Sequence, residues 1–351
     1  MRYRLFYIPM TDLSFDVLRR LADGEFHSGA MLARTLDVSR GTVWNAVRAI
    51  DAAGLSVYKV RGRGYRLAEP ISLLDHATVA AHAGAYSQRW AIELLDTVDS
   101  TNTLLMQRAA HGAPSGTVIA AECQRDGRGR MGRPWHAGVG GALTFSALWR
   151  FDLGAGALGG LSLAAGVALI RALKKLGTDE ARLKWPNDVV WRGQKLAGML
   201  IEMQGDALGP STVVIGIGVN VRLSDAVKSR IDQPAADLEA ACGRTLDRSA
   251  VLGTVLAQLA IVLDRFAEDG FAPMREEWQR YHVHQGRSVA VKLPTGRVER
   301  GLALGVGDDG ALLFQTGEAV RRLHSGEISL RGSDPAKTPR AQKARRVRSR
   351  A

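Results

Sequence analysis

Cysteine is nearly absent: the 351 residues contain two, Cys123 and Cys242. Two distant cysteines make neither a disulfide framework nor a zinc motif, and they suit a reducing compartment. Cys123 is expected to pack as a small hydrophobe. Long apolar runs are also missing. The longest, residues 154–170, contains Gly and Ser and stops at Arg171, short of the ~20 residues of a spanning helix. The apolar patch in MRYRLFYIPMTD is too short for a signal peptide. The expectation is a cytoplasmic protein with no membrane partner. An acidic excess is lacking as well, since the net charge is +12. Residues 335–351 supply seven of those charges and residues 1–70 supply four, so the body between them is nearly neutral.

Enough apolar residues are present, at 46%, to exclude wholesale disorder. The length suggests two or three domains. Residues 13–67 read as three helices and a hairpin. Leu13, Val17, Leu18 and Leu21 share one face, and Gly24 stops the first helix. Ser28 and Ser39 are placed to cap the second and third. Gly54 ends the third, and LSVYKV-RGRG-YRLAEP makes a basic hairpin. This is a winged helix-turn-helix. Residues 71–283 alternate strands and helices, with helices expected at 73–84, 102–111, 158–176 and 249–269, and suggest a mixed, largely antiparallel sheet. Residues 284–333 read as short strands of a small β-barrel. Residues 334–351 read as a disordered basic tail. The fold class is α+β.

Three segments carry chemistry. Gly127-Arg128-Gly129-Arg130-Met131-Gly132-Arg133 matches G-x-G-x-x-G. No helix opens after it, because Pro134-Trp135 follows, so the dinucleotide fingerprint is rejected. The better reading is an anion-binding loop: glycines free backbone N–H groups, and Arg125, Arg128, Arg130 and Arg133 offer permanently charged forks. Such a loop is expected to be mobile without a ligand. Lys184-Trp185-Pro186-Asn187-Asp188 ends a strand in a polar turn, and Lys195 opens an apolar strand where a carboxylate or phosphate would explain it. Asp99-Ser100-Thr101-Asn102 precedes a helix. Capping alone would account for it, yet the same geometry binds polar ligands.

Taken in order, S-T-N, G-R-G-R-x-G-R, K-W-P-N-D and K-L-A-G resemble the biotin–protein ligases. The winged helix makes the chain similar to the bifunctional ligase-and-repressor class, over about residues 13–333. The closing Gly326–Arg331 also looks like that family's C-terminal domain. The resemblance implies a class II synthetase-like biotin/lipoate ligase domain and an SH3-like barrel. It implies that biotin and Mg-ATP give biotinyl-5′-AMP, which is attacked by a lysine of a biotin carboxyl carrier domain of acetyl-CoA carboxylase or a related carboxylase. Ser100, Thr101, Asn102 and Gln124 fall where the family binds biotin's polar ring. Arg128, Gly129 and Arg130 fall in the loop over biotin and the phosphate. Lys195 matches a lysine on the carboxylate and phosphate, and Trp135 one that packs on adenine. Gly127, Gly132, Arg133, Asn187 and Asn220 complete the expected nucleotide site. Asp188 is a candidate acceptor for the attacking amine's proton. The Mg²⁺ ligands stay unassigned.

Met131 stands where the repressor-type motif usually has arginine, and the basic tail is outside the pattern. In the winged helix, Ser39, Arg40, Thr42, Asn45 and Arg48 are expected to face DNA, with Lys59, Arg61, Arg63 and Arg66 in a basic wing. A two-fold operator and a ligand-promoted homodimer follow as expectations. Three alternatives stay open: a ligase whose winged helix no longer represses, a sensor-only transcription factor, and a lipoate ligase.

Overall fold

The computed structural model describes residues 10–292, 297–324 and 329–332. Residues 326–328 of the closing motif and the basic tail lie outside the described residues.

The chain begins with α1 (Asp12–Leu21), α2 (Gly29–Thr35) and α3 (Arg40–Ala52), then strands β1 (Val57–Val60) and β2 (Gly64–Leu67). Ser28 and Ser39 accept hydrogen bonds from Met31 N–H and Thr42 N–H, so both predicted caps form. Phe15, Leu18, Leu21, Leu32, Val43, Val47, Ile50 and Leu67 are buried in one cluster. Cys123 and Val139, from the next domain, pack into the same cluster, so Cys123 is buried at a domain junction. Arg19–Asp96 and Arg222–Glu69 ion pairs also cross it.

The second region runs α4 (His76–Ala83), β3 (Ala91–Val98), α5 (Thr101–Ala110), β4 (Thr117–Gln124), β5 (Ala142–Phe151), α6 (Leu161–Lys175), β6 (Ala181–Lys184), β7 (Asp188–Trp191), β8 (Gln194–Gly205), β9 (Ser211–Asn220), α7 (Asp225–Lys228), α8 (Leu238–Cys242), α9 (Arg248–Asp269) and α10 (Arg275–Tyr281). Seven strands pair in the order β3-β4-β5-β9-β8-β7-β6, and β3–β4 alone is parallel. The expected mixed sheet is therefore present. Edge strand β3 and the short helices α7, α8 and α10 are additions to the sequence reading.

Alternation along the central strands separates two faces. Leu143, Phe145, Ala147, Val213, Ile215 and Ile217 belong to the main core with α6 and α9. Leu148 and Val214 pack under α5. The segment 155–175 and α9 are long and apolar enough to cross a membrane by composition, contrary to the sequence estimate. Most of each is buried, as in core helices of compact domains.

The last region holds β10 (Arg287–Lys292), β11 (Val298–Val306), β12 (Leu312–Thr316), β13 (Ala319–Leu323) and β14 (Ser329–Gly332). They form an antiparallel sheet in the order β13-β12-β11-β10-β14, and no pairing closes it into a barrel among the described residues. Trp185 Nε1 donates to Gly310 O at 3.0 Å and fixes this sheet to the central domain.

Candidate active site

A cavity of about 370 Å³ opens on the α5 face of the sheet. Its first wall is the start of α5. Ser100 caps the helix through Thr103 N–H, while Thr101 N–H and Oγ1–H both donate to Gln124 Oε1, at 2.8 and 3.1 Å. Ser146 Oγ–H lies 2.7 Å from Thr101 Oγ1 and 2.5 Å from Asn102 Oδ1. Asn102 donates in turn to Glu202 and to Leu200 O. Its amide is thereby fixed in position at 4% exposure. A Cβ on Gly216 would collide with that amide. Glycine is required there because the strand backbone and the side chain approach so closely.

The second wall is the Gly-Arg loop after β4. Trp135 N–H donates to Gly127 O and Gly129 N–H to Arg133 O, both at 2.7 Å, so the loop folds back as a hairpin. A short 3₁₀ turn, Arg130–Gly132, replaces the helix a dinucleotide site would need, and Met131 sits in it at φ 59°. The Trp135 ring lies over Gly218, where a Cβ would fall 2.5 Å from Cε2. Its indole N–H is buried and lacks a hydrogen-bond partner among the described residues. Such a donor is costly unless something pairs with it. Arg128 donates to Thr103 Oγ1 at 2.7 Å and approaches Glu202 at 3.6 Å. Arg130 donates to Asn187 Oδ1. Burial lowers the Arg130 pKa from the ordinary guanidinium value, with Asp188 opposing and Arg133 adding to the shift.

The third wall is the β7–β8 hairpin. Asn187 donates to Met199 O at 2.6 Å. Lys195 Nζ stands 2.7 Å from Asp188 Oδ1 and 5.6 Å from the Trp135 ring. Strict alternation from Gly198 would turn Lys195 away from the cavity. The β7–β8 register skips Leu196, pairing Val189 with Ala197 and Val190 with Lys195. This bulge re-aims Lys195 onto the face of Gly198.

Of the sequence candidates, Ser100, Thr101, Asn102, Gln124, Arg128, Gly129, Arg130, Arg133, Trp135, Asn187, Asp188, Lys195 and Asn220 all line this one cavity. Gly127 and Gly132 do not line it. Arg125 pairs with Asp99, and the Asn220 amide donates to Lys195 O and Ala236 O. Sequence reasoning missed Gly216, Gly218, Ser146, Glu202 and the Arg230–Gln233 segment. The V-V-I-G-I-G-V alternation of β9 was a usable signal for the glycines. Nothing in the sequence marked the segment.

The candidate DNA surface is separate. Arg40, Asn45 and Arg48 are exposed on α3, and Arg61 and Arg63 on the β1–β2 turn. Thr42 is engaged by Ser39 Oγ at 2.8 Å, Lys59 pairs with Asp51, and Arg63 and Arg66 stack on Phe26.

Comparison with known proteins agrees with this geometry. The biotin/lipoate A/B protein ligase family matches residues 94–220, an HTH domain matches 14–66, and the biotin protein ligase C-terminal domain matches 284–331. The bifunctional ligase/repressor BirA of Escherichia coli is 36% identical over 90% of this chain and 96% of its own length. The protein of the same description from Bacillus subtilis is 30% identical over 88% and 95%. The biotin protein ligase of Aquifex aeolicus, solved in complex with biotin and ATP, superposes with a TM-score of 0.59 at 30% identity, covering 69% of this chain and 99% of that one. The chain belongs to the biotin protein ligase family, in its bifunctional ligase/repressor class.

Proposed function

We infer that this chain activates biotin with ATP to biotinyl-5′-AMP, passes biotin to a lysine of a carboxyl carrier domain, and represses biotin-synthesis genes through its winged helix. The convergence of the S-T-N segment, the Gly-Arg loop, the W-P-N-D turn and Lys195 on one cavity carries the ligase reading. In the first step a biotin carboxylate oxygen bonds to the α-phosphorus and pyrophosphate leaves. Two anions must approach, and Arg128, Arg130 and Lys195 are placed to offset their repulsion. Thr101, Asn102 and Gln124 offer an ordered polar end for the biotin ring, and the Trp135 face an apolar seat for adenine. No enzyme nucleophile is needed. In the second step the carrier amine attacks the acyl carbon, AMP leaves, and the amine sheds a proton.

The ion pair alters one residue's role. Asp188 is engaged with Lys195, so we assign it to holding that lysine in place rather than to accepting the amine's proton. Among the described residues no three acidic, His or Cys side chains gather to hold a metal. Mg²⁺ would be carried mainly by the ATP phosphates and water, with at most one or two protein carboxylates completing its shell.

Intact mass of a carrier domain after incubation with this protein, biotin and Mg-ATP tests the ligase. One biotin adduct, lost when the acceptor lysine is replaced, is expected, and a parallel lipoate reaction should give none. Binding of biotin with no adduct would favour a sensor-only protein. The homodimer, the cytoplasmic site of action and the operator remain part of the proposal. Sedimentation showing the same oligomer with and without biotin and ATP would remove ligand-promoted dimerisation. Equal affinity for a selected operator and a scrambled duplex would leave a ligase that no longer represses.

A further inference from the structure

Helix α3 carries one side chain that its fold does not explain. Val43, Ala46, Val47, Ala49 and Ile50 are buried. Trp44 is turned the other way and is 46% exposed. Steps of four place Arg40, Trp44 and Arg48 on one helical stripe. The Arg48 guanidinium lies 4.7 Å from the centre of the Trp44 ring, so the two form one stacked unit. Asn45 is exposed beside them. Gly41, one turn before Trp44, adds no side chain to this face. A Cβ there would meet only Ser39 Oγ at 3.6 Å, so internal packing does not demand glycine. The stripe is thus a large apolar ring with a slot beside it, bracketed by two arginines. Charge complementarity selects the occupant. Arg40 and Arg48 flank the ring on its own helical stripe, and Arg61 and Arg63 are exposed on the β1–β2 turn of the same domain, a set of positive charges that suits a polyanion and opposes a basic partner.

We propose that Trp44 is a base-reading residue: on the operator it packs against thymine C5-methyl groups in the major groove, while Arg40 and Arg48 hold the helix to the flanking strand. The methyl is the one apolar feature on the major-groove edge, and an apolar side chain reads it. Arg48 stacking on the ring restricts the indole before DNA arrives, which lowers the ordering cost of the contact.

This inference rests on the DNA-binding part of the proposed function, and the test separates the two. A random duplex library is selected with the full-length protein in the presence of biotin and Mg-ATP. The best site is then remade with uracil at each thymine, which removes only the methyl. Wild type should lose about threefold to tenfold in affinity at one or two symmetric positions. Trp44→Ala should bind the thymine site that much more weakly and show no further loss with uracil. Trp44→Phe should keep part of the discrimination. Uracil affecting wild type and Trp44→Ala equally, or not at all, overturns the assignment while leaving the operator reading intact. Failure of wild type to select any site overturns both. Ligase turnover of Trp44→Ala should match wild type, because α3 does not line the catalytic cavity.

Discussion

Two glycines on β9 should separate the two ends of the catalytic cavity. Gly216 and Gly218 project to the same face, and each lies under one side chain of the site. A Cβ at 216 collides with the Asn102 amide; one at 218 falls 2.5 Å from the Trp135 ring. Asn102 exchanges hydrogen bonds with Ser146, Glu202 and Leu200 O. These bonds hold the amide in position, and a biotin ring group left without its Asn102 partner costs about 1–3 kcal/mol, or roughly 5- to 150-fold in affinity. Gly216→Ala should therefore weaken biotin binding by that range in calorimetry without nucleotide. The KM for ATP should rise far less. Gly218→Ala should do the reverse, because the indole must tilt off its seat: biotin alone should bind within about threefold of wild type, and the KM for ATP should rise by about tenfold or more. Circular dichroism and thermal melts check that both variants fold. Equal loss of both ligands in both variants would refute the division of the cavity, and unchanged biotin affinity in Gly216→Ala would refute the role of Asn102.

Three further outcomes follow from the geometry. Lys195→Met should lower the rate of pyrophosphate release by about 10²–10³, measured in a single turnover; Asp188→Asn should cost less, since the charge that faces the phosphate survives. Burial, helped by the neighbouring His284, pulls His282 down to about 3, and burial beside Lys184 and Arg287 pulls His284 to about 4. Both lie below the unfolded value near 6.5, so the unfolded chain binds the extra protons; stability is intact above about pH 6.5 and falls toward pH 4, by ~2 kcal/mol from His282 at pH 5. Urea denaturation of wild type and His282→Gln should converge as pH drops from 7 to 5, and a constant gap would refute the burial argument. Operator binding by a dimer that contacts six phosphates should fall with a log–log salt slope of about −5, and Arg61→Ala should make it shallower by about 2; an unchanged slope would remove Arg61 from the backbone contacts.

Much of this was legible in the sequence because the signals are local. Ser28, Ser39 and Ser100 cap helices within a few residues of themselves. The buried stripes of α1 and α3 follow a period the sequence displays. Rejecting the dinucleotide fingerprint needed only Pro134-Trp135, and the structure has a single 3₁₀ turn there in place of an α-helix. What stayed hidden depends on partners far along the chain. Edge strand β3 has one neighbour and no strict alternation, so AIELLDTV reads as neither helix nor strand. Arg125 looked like part of an anion loop until its pairing with Asp99 could be seen. Arg230–Gln233 lines the cavity because Pro234 and Ala236 bond to Lys195, and no residue in that stretch announces it. Lys195 shows the limit most clearly. Its presence in an apolar strand flagged it, yet alternation from Gly198 would place its side chain among the core residues. One unpaired residue, Leu196, reverses that outcome. A period of two predicts a face only while the ladder pairs one to one. The bulge that breaks the ladder is also what brings the lysine to Asp188 and Trp135, so the departure from the pattern and the candidate chemistry have a single cause.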